Sequence, residues 1–333
     1  MFTKKRITAV FVLGVVFSAG LFAQQPDMMD TYFDGDELNR RVRNYNINVS
    51  NLIPDSTTLS NVWAAPPPKS FLFGVGINAS VTILDRQKVS SLIDEFDGFG
   101  GDHNDLSQFP EAIPFLPGAA FDLRIGSKGF DIGLCGMWVD ENILSEYVGT
   151  SFLGEGSKFT YRSFGFDFRT VLIREKSNKI LFNTVTIPSV AALFLPTITF
   201  QAGYYFTWLG FGIEAGNEKV NADFRNDSYL LALQASYDVI ILQPYFGIKM
   251  IFSKTDSGFS WETDRPVMVA GMPYPDGAKY NSGGIEGETF SYFQIYGGLG
   301  ITLPLIGIDV GFAYNVVTEH FGINLSVRYV MGS

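Results

Sequence analysis

Apolar and polar side chains alternate with a period of two over much of the chain beyond residue 70. In the stretch 71–84, the seven residues of one parity from Phe71 to Ile83 are apolar, whereas Gly, Asn, Ser and Thr fill most of the other parity. This alternation is typical of a β-strand with one apolar face. The stretch also suits a tilted strand that crosses a membrane, which needs roughly 9 to 11 residues plus flanks.

Eleven further stretches alternate in the same way, least securely between 180 and 217, where Pro188 and Pro196 would disturb a hydrogen-bonded ladder. They predict an all-β fold, namely a transmembrane antiparallel β-barrel of about 12 strands. The number could range from roughly 10 to 14, because bacterial barrels have even numbers of strands over a wide range. The barrel would occupy residues 70–333. The eleven stretches are 120–126, 130–138, 159–174, 180–187, 196–208, 209–217, 228–238, 241–253, 289–303, 306–317 and 319–330.

The links between these strands alternate in length. Outer-membrane barrels have short periplasmic turns and longer outside loops. If the strand 71–84 runs outward from the periplasm, every long link lies on the outer side of the membrane. A soluble β-sandwich has no reason to sort its loops by length in this way. The predicted short links are 127–129, 175–179, 239–240 and 304–307, and the long polar links are 85–117, 140–158, 218–227 and 254–288.

Composition agrees with strands rather than helices as the membrane-crossing elements. Aromatic residues make up 15% of the chain and charged residues 17%, yet the most apolar window, 184–200, is broken by two prolines. Backbone groups in lipid must all be hydrogen-bonded, which leaves a closed barrel as the solution. The formal charge of −10 argues against nucleic acid as a partner. Cys135 is the single cysteine, so no internal disulfide can form.

The last strand carries a pattern that can be compared with a known class. His320, Gly322, Leu325 and Val327 fit the order polar, any, Gly, any, any, apolar, any, apolar, and Tyr329 extends the apolar parity. This strand resembles the C-terminal targeting strand of Gram-negative-type outer-membrane proteins, porin-like or fatty-acid-transporter-like. The resemblance implies insertion by the barrel assembly machinery, help from periplasmic chaperones and contact with outer-membrane lipid. The chain departs from that class by continuing to Ser333 instead of ending on an aromatic residue.

The N-terminus has the order of a secretory signal peptide. A basic cluster at 4–6 precedes an apolar stretch at 7–17 and a run of small residues, and we expect cleavage after Ala23. Residues 1–23 are therefore interpreted as a signal peptide and the protein as resident in the bacterial outer membrane. A retained anchor is the alternative, disfavoured because the apolar stretch is short for a span.

Residues 24–69 form a separate region that is rich in polar residues and ends in the sequence AAPPPK. Large apolar side chains are few, so burial offers little to offset the entropy of ordering. We expect a polar N-terminal arm or a plug in the barrel mouth, hinged at the proline run.

The predicted inward faces of the strands carry charged residues. Charges within a membrane element are costly unless they pair or meet water, so these should face the lumen. They can form salt bridges that fill a narrow barrel, or a conducting path with a charged constriction. The candidates are Asp122, Arg124, Asp131, Asp167, Arg169, Lys249, Asp309 and Arg328.

The first long link is acidic, with carboxylates near glycines that could in principle wrap a hard cation. The spacing of an EF-hand is absent, so a solvated acidic loop is favoured, and neither a metal nor another cofactor is predicted. The carboxylates are Asp94, Glu95, Asp97, Asp102 and Asp105.

An enzyme is not predicted. Outer-membrane lipases and proteases place histidine beside a nucleophile or carboxylate, but only His103 and His320 are present and no motif gives either an oriented partner. The function predicted is passive passage of small solutes or apolar molecules. A non-conducting barrel that binds partners through outside loops such as 264–288 is the alternative, and an outer-membrane lipase or protease ranks last.

The fatty-acid-transporter family is a closer rival for the architecture, since residues 24–69 could act as its hatch. Its hatch motif is absent, and about twelve strands is short of its usual fourteen. The aromatic stretch 203–211 could line an apolar path, but it is better interpreted as an interfacial girdle. The girdle residues would be Tyr204, Tyr205, Phe206 and Trp208.

Overall fold

The computed structural model describes the barrel strands, most of their turns and parts of the N-terminal region. Within it, no helix is long and apolar enough to cross a membrane. The predicted signal peptide and the carboxylates of the acidic link lie outside the described residues. The described residues are 33–34, 39–40, 43, 50, 53–55, 57–58, 62–83, 115–139, 157–175, 179–180, 185–186, 195–215, 218–263, 267–270, 272–274, 277–282 and 285–331.

Sixteen strands lie in this described part of the chain. Helical residues are confined to short stretches before residue 60, among them 53–55. The strands are β1 (Phe33–Asp34), β2 (Phe71–Ile83), β3 (Phe115–Ser127), β4 (Phe130–Val139), β5 (Ser157–Ile173), β6 (Lys179–Ile180), β7 (Val185–Thr186), β8 (Thr197–Ala215), β9 (Glu218–Ser236), β10 (Leu242–Thr263), β11 (Val267–Val269), β12 (Met272–Tyr274), β13 (Ala278–Asn281), β14 (Ile285–Thr302), β15 (Ile306–Asn315) and β16 (Phe321–Met331).

Ten of these strands close into an antiparallel barrel, each paired with its neighbour along the chain. The order around the ring is β2, β3, β4, β5, β8, β9, β10, β14, β15 and β16. The ring closes where β16 pairs antiparallel with β2, from Phe321 opposite Ile83 to Met331 opposite Phe73. The all-β class and the pairing of the last strand with the first are thus confirmed.

The barrel has ten strands rather than about twelve, and two regions account for the difference. Predicted strands 196–208 and 209–217 are one continuous strand, β8. Within the described residues of this region, the predicted strand at 180–187 contributes only the two-residue strands β6 and β7, which pair with each other beside the end of β5. Pro188, which follows that region, is one of the prolines that weakened its prediction.

The predicted outside link 218–227 is also wrong, because these residues are the first half of β9 and pair with both β8 and β10. The outward face of this half of the strand carries polar residues such as Asn221 and Asp223, whereas Ala222 and Phe224 are buried on its inward face. A strand that extends beyond the membrane loses the apolar-polar contrast on which the prediction depended.

Side chains on the barrel wall alternate between an exposed apolar outer face and a buried polar inner face. On β16 the odd-numbered residues from Phe321 to Tyr329 are exposed, and the even-numbered ones from Gly322 to Arg328 are buried. Outward aromatic residues such as Phe121 and Trp138 are each 61% exposed. A closed wall that is apolar outside and polar inside is that of an outer-membrane-type barrel.

The predicted aromatic girdle is wrong at one of its four residues, Tyr205. Tyr204, Phe206 and Trp208 lie on the outer face, but Tyr205 is only 1% exposed and points inward. It packs in a cluster with Leu230, Ile251 and Tyr292 inside the barrel.

The two ends of the barrel are distinguished by their connections. We call the end that holds Ser70, the links β3–β4, β9–β10 and β14–β15, and Met331 the turn end, and the opposite end the loop end. The predicted short turn at 127–129 is confirmed: Lys128 and Gly129 have φ values of 52° and 88°, in the left-handed region that glycine tolerates. The turn at 239–240 is confirmed by the bridge between Val239 and Leu242. The link predicted at 175–179 instead runs from Ile173 to Thr197.

Candidate functional site

The described residues from Asn39 to Ser70, which we call the inner segment, run through the lumen. Near the loop end, Trp261 Nε1 on β10 donates a hydrogen bond to Asn39 Oδ1 at 2.9 Å. Farther down the same strand, Thr255 Oγ1 donates to the carbonyl oxygen of Ser50 at 3.4 Å. The N-terminal part of the inner segment therefore lies by the loop end.

Halfway along the barrel the inner segment remains in contact with the wall. Lys249 Nζ on β10 donates to the carbonyl oxygen of Thr58 at 3.0 Å. The hydroxyl oxygens of Thr57 and Thr207 are 2.8 Å apart. Both Thr57 and Thr58 are buried, which places this part of the segment within the lumen.

The C-terminal part of the inner segment reaches the turn end. Gln234 Nε2 donates to the carbonyl oxygens of Trp63 and Ala64, both at 3.0 Å. Lower down, Arg174 Nη2 donates to the carbonyl oxygen of Pro67 at 3.3 Å, and the backbone N–H of Gly129 donates to that of Pro68 at 2.7 Å. The segment thus crosses the lumen from the loop end to the turn end before it enters β2.

Arg174 lies just beyond β5 and ties the proline run to the turn end. Burial lowers the pKa of its guanidinium, while the carboxylate of Asp238 opposes that shift. Together with the backbone bond from Gly129, this contact fixes where the chain leaves the lumen.

Asp55 is the principal polar anchor of the upper inner segment. It is 2% exposed and accepts hydrogen bonds from four wall residues near the loop end. Asn315 Nδ2 lies 2.8 and 3.0 Å from its two carboxylate oxygens, and His320 Nδ1 lies 3.0 Å from Oδ2. Gln294 Nε2 and Thr318 Oγ1 complete the set at 2.5 and 3.2 Å. Burying a carboxylate without hydrogen-bond donors is costly, and these four residues supply them.

Trp63 is the principal anchor of the lower inner segment. Its indole N–H donates to Asp122 Oδ2. Three guanidinium carbons surround its ring, at distances from the ring centre of 3.9 Å for Arg328, 4.8 Å for Arg124 and 5.6 Å for Arg169. Cations are attracted to the face of an indole ring, most strongly when both groups are removed from water.

Ion pairs between β3, β4 and β5 hold these guanidinium groups in place. Arg124 Nη1 lies 2.5 Å from Asp131 Oδ1, and Arg124 Nη2 lies 2.8 Å from Asp167 Oδ2. Arg169 binds Asp131 through two atoms, Nη2 at 2.7 Å and Nε at 3.0 Å. Two-point pairing of this kind fixes the orientation of both groups.

The remaining charged candidates lie on β10, β15 and β16. Arg328 on β16 pairs with Asp309 on β15 and donates to the carbonyl oxygen of Val62 at 2.9 Å. Lys249 lies 4.7 Å from the centre of the Tyr296 ring and is kept apart from the ion-pair network. All eight charged candidates are at most 3% exposed and point inward, and they comprise four carboxylates and four cations.

The structure places the residues of the final strand on both faces. Leu325, Val327 and Tyr329 are outward and 46 to 49% exposed, and Gly322 is inward. His320 precedes the strand and lies inside, against Asp55. A role of this strand in barrel assembly stays a prediction.

Asp55 and Trp63 were missed by reasoning from the sequence. Their partners lie from about 60 to more than 260 positions away along the chain, so no local pattern marks them. The signal that could have drawn attention to one of them is a tryptophan placed just before a proline run in an otherwise polar region.

No family model matches the chain, and no curated protein matches it. Among solved structures, the chain is similar to the outer membrane protease OmpT from Escherichia coli, at 8% identity and a TM-score of 0.35 over 82% of this chain and 100% of the other. It is also similar to the translocator domain of the autotransporter NalP from Neisseria meningitidis, at 7% identity and a TM-score of 0.35 over 92% of this chain and 100% of the other. Values of this size do not assign the chain to a family.

Proposed function

We propose that the protein is an outer-membrane channel for small polar solutes whose lumen is closed by its own inner segment. The observation that carries the proposal is the noncovalent attachment of that segment along the full height of the barrel. Asp55 and Trp63 hold it to the wall through hydrogen bonds and ring contacts that can be broken and remade.

The chemistry of the wall supports passage of polar rather than apolar molecules. The inward residues are largely Ser, Thr, Asn, Gln and charged side chains. Some of their polar atoms, including both side-chain atoms of Asn324 and Nε2 of Gln201, have no hydrogen-bond partner among the described residues. Buried atoms of this kind are normally satisfied by water, which suits a hydrated path.

The balance of charge supports weak discrimination between ions. The four carboxylates and four cations of the wall cancel formally, so neither cations nor anions are favoured by net charge. Selectivity in such a channel would come from its width and from local rings of charge.

The exposed apolar outer face supports a location in the bacterial outer membrane, after export by the signal peptide predicted at residues 1–23. The alternating faces and even number of strands are those of bacterial outer-membrane barrels.

The decisive experiment locks the inner segment to the wall. In a Cys135→Ser background, Thr57→Cys and Thr207→Cys replace two hydroxyl groups whose oxygen atoms are 2.8 Å apart. Side chains this close suit a disulfide. We expect single-channel openings in planar bilayers from the reduced protein and their loss on oxidation.

The oxidised double variant also serves as its own control. Adding a reductant should return the frequency of its openings to that of the Cys135→Ser parent. The single variants Thr57→Cys and Thr207→Cys should not respond to oxidant. Openings that persist in the oxidised double variant would rule out the inner segment as the closing element. Silence from the parent under all conditions would mean a permanently filled barrel.

A further inference from the structure

A row of outward side chains crosses four neighbouring strands near the loop end. Trp138 on β4 lies opposite Arg162 on β5, and Arg162 lies opposite Trp208 on β8. Trp208 in turn lies opposite Arg225 on β9. Two arginines and two tryptophans therefore alternate around this part of the outer wall.

Arg162 is held between the two tryptophan rings. Its guanidinium carbon lies 4.1 Å from the centre of the Trp138 ring and 4.3 Å from that of Trp208. Among the described residues no carboxylate forms an ion pair with it, and its Nε atom is buried without a hydrogen-bond partner. Arg225, by contrast, has Asp227 Oδ2 at 3.6 Å from its Nε.

This row lies at the edge of the apolar band. On the turn-end side of Arg162, the outward residues of β5 are Phe164, Phe166 and Phe168, which are 40 to 52% exposed. Toward the loop end, the outward residues of β9 become polar after Tyr229, beginning with Asp227 and Arg225. Aromatic rings at such an edge lie at the depth of the lipid headgroups.

We infer that Arg162, with Trp138 and Trp208, forms a binding site for the phosphate of an anionic lipid headgroup. The two rings cover the faces of the guanidinium and the Nε atom is buried, so the Nη donors are those left for phosphate oxygens. Arginine suits this role because its planar group stacks on rings and binds oxyanions through two donors at once. The apolar wall below accommodates the acyl chains of the same lipid.

The distribution of tryptophans makes the site directly observable. The chain has four tryptophans. Trp63 and Trp261 are each 3% exposed and lie inside the barrel, whereas Trp138 and Trp208 point outward on either side of Arg162. Lipids with brominated acyl chains quench fluorescence on contact, so they report on these two rings.

The test measures quenching of the full-length protein in vesicles that mix brominated and ordinary lipids. We expect brominated phosphatidylglycerol to bind at these rings about fivefold more strongly than brominated phosphatidylcholine, the effect of one arginine near an anionic lipid surface. Phosphatidylcholine carries a cation beside its phosphate, which competes with Arg162. The preference should disappear in Arg162→Gln.

Two variants control for general effects. Arg162→Lys keeps the charge but not the planar stacking, and should keep only part of the preference. Arg225→Gln removes the neighbouring arginine that is already paired with a carboxylate, and should keep all of it. Folding of each variant is verified by its heat-dependent shift in gel mobility.

Equal binding of the two lipids to the wild-type protein would overturn the inference, and so would a preference retained in Arg162→Gln. Arg162 would then simply reach toward water from the apolar wall. Inorganic phosphate separates a lipid site from a free-phosphate site: the preference should survive it at an ionic strength matched with chloride. Loss of the preference under phosphate alone would contradict a lipid as the occupant.

Discussion

The guanidinium carbon of Arg328, on the strand that closes the barrel, lies 3.9 Å from the centre of the Trp63 ring in the inner segment. The same guanidinium donates to the backbone carbonyl oxygen of Val62. One wall residue thus contacts both the ring and the backbone of the segment. The segment and the seam between β2 and β16 are therefore coupled directly.

We expect Trp63→Ala to release the lower inner segment. Truncating a buried tryptophan costs about 3–5 kcal/mol, and here the loss removes contacts to three arginines and one aspartate. Channel openings should become at least about tenfold more frequent, since 1.4 kcal/mol corresponds to a factor of ten. Trp63→Phe keeps a ring but not the N–H donor. In bilayer recordings its opening frequency should lie between that of the wild-type protein and that of Trp63→Ala.

Arg124→Ala should destabilise the barrel by about 3–5 kcal/mol, because it leaves the buried carboxylates of Asp131 and Asp167 without one of their cations. Urea unfolding in detergent micelles, followed by far-ultraviolet circular dichroism, measures the change. Lys254→Ala is the matched control, since its pair with Asp256 is exposed; a change of at most about 1 kcal/mol is expected there. Equal effects of the two variants would contradict a structural role for the buried network.

The same Arg124→Ala protein should also change ion preference toward cations in bilayers, because one positive charge leaves the wall. The shift in reversal potential under a salt gradient measures this effect. An unchanged potential would mean that Arg124 stabilises the wall without lining the conducting path.

Gly247→Ala should destabilise the barrel by about 1–3 kcal/mol through overpacking. An added Cβ would lie 2.5 Å from Cζ of the Tyr296 ring and 2.6 Å from the backbone oxygen of Leu233. Gly307→Ala is the control on β15, because the nearest atom to its Cβ is 3.9 Å away. Thermal unfolding should show a lower transition temperature for the first variant and an unchanged or slightly higher one for the second.

The two ends of the inner segment should be accessible from opposite sides of the membrane. Arg43 and Lys69 are both exposed, and Arg43 lies between residues that contact the loop-end half of β10. In a Cys135→Ser background, a membrane-impermeant maleimide should label Arg43→Cys on intact cells. Lys69→Cys, at the turn end, should react only after the outer membrane is permeabilised. Labelling of both on intact cells would contradict the orientation.

The sequence predicted the faces of the strands because burial in lipid imposes period-two alternation, as on β2 and β16. It fails where strands continue into water: the outward residues of β9 from Lys219 to Asp227 are polar, and the pattern there predicts a link. The outward residues of β8 likewise change from aromatic to glycine after Trp208, and the pattern predicts two strands where the structure has one. Alternation reports the part of a strand in contact with lipid rather than its full length.

The eight charged lumen residues could be selected from the sequence because each alternates with apolar neighbours. The sequence does not show which of these residues contact one another, because Arg124 pairs with Asp167 across two strand boundaries and Trp63 belongs to the inner segment rather than to a barrel strand. Such contacts depend on closure of the ring, which a local pattern does not encode.

The bond from Gly129 to Pro68 and the proline run beside it leave the inner segment tethered at the turn end even when its upper contacts are broken. A tethered group returns to its site in a unimolecular step, at an effective concentration set by the tether. Prolines make that tether stiff and short in reach. If the proposed channel opens, each molecule is therefore expected to close again at a rate independent of how many copies the membrane contains.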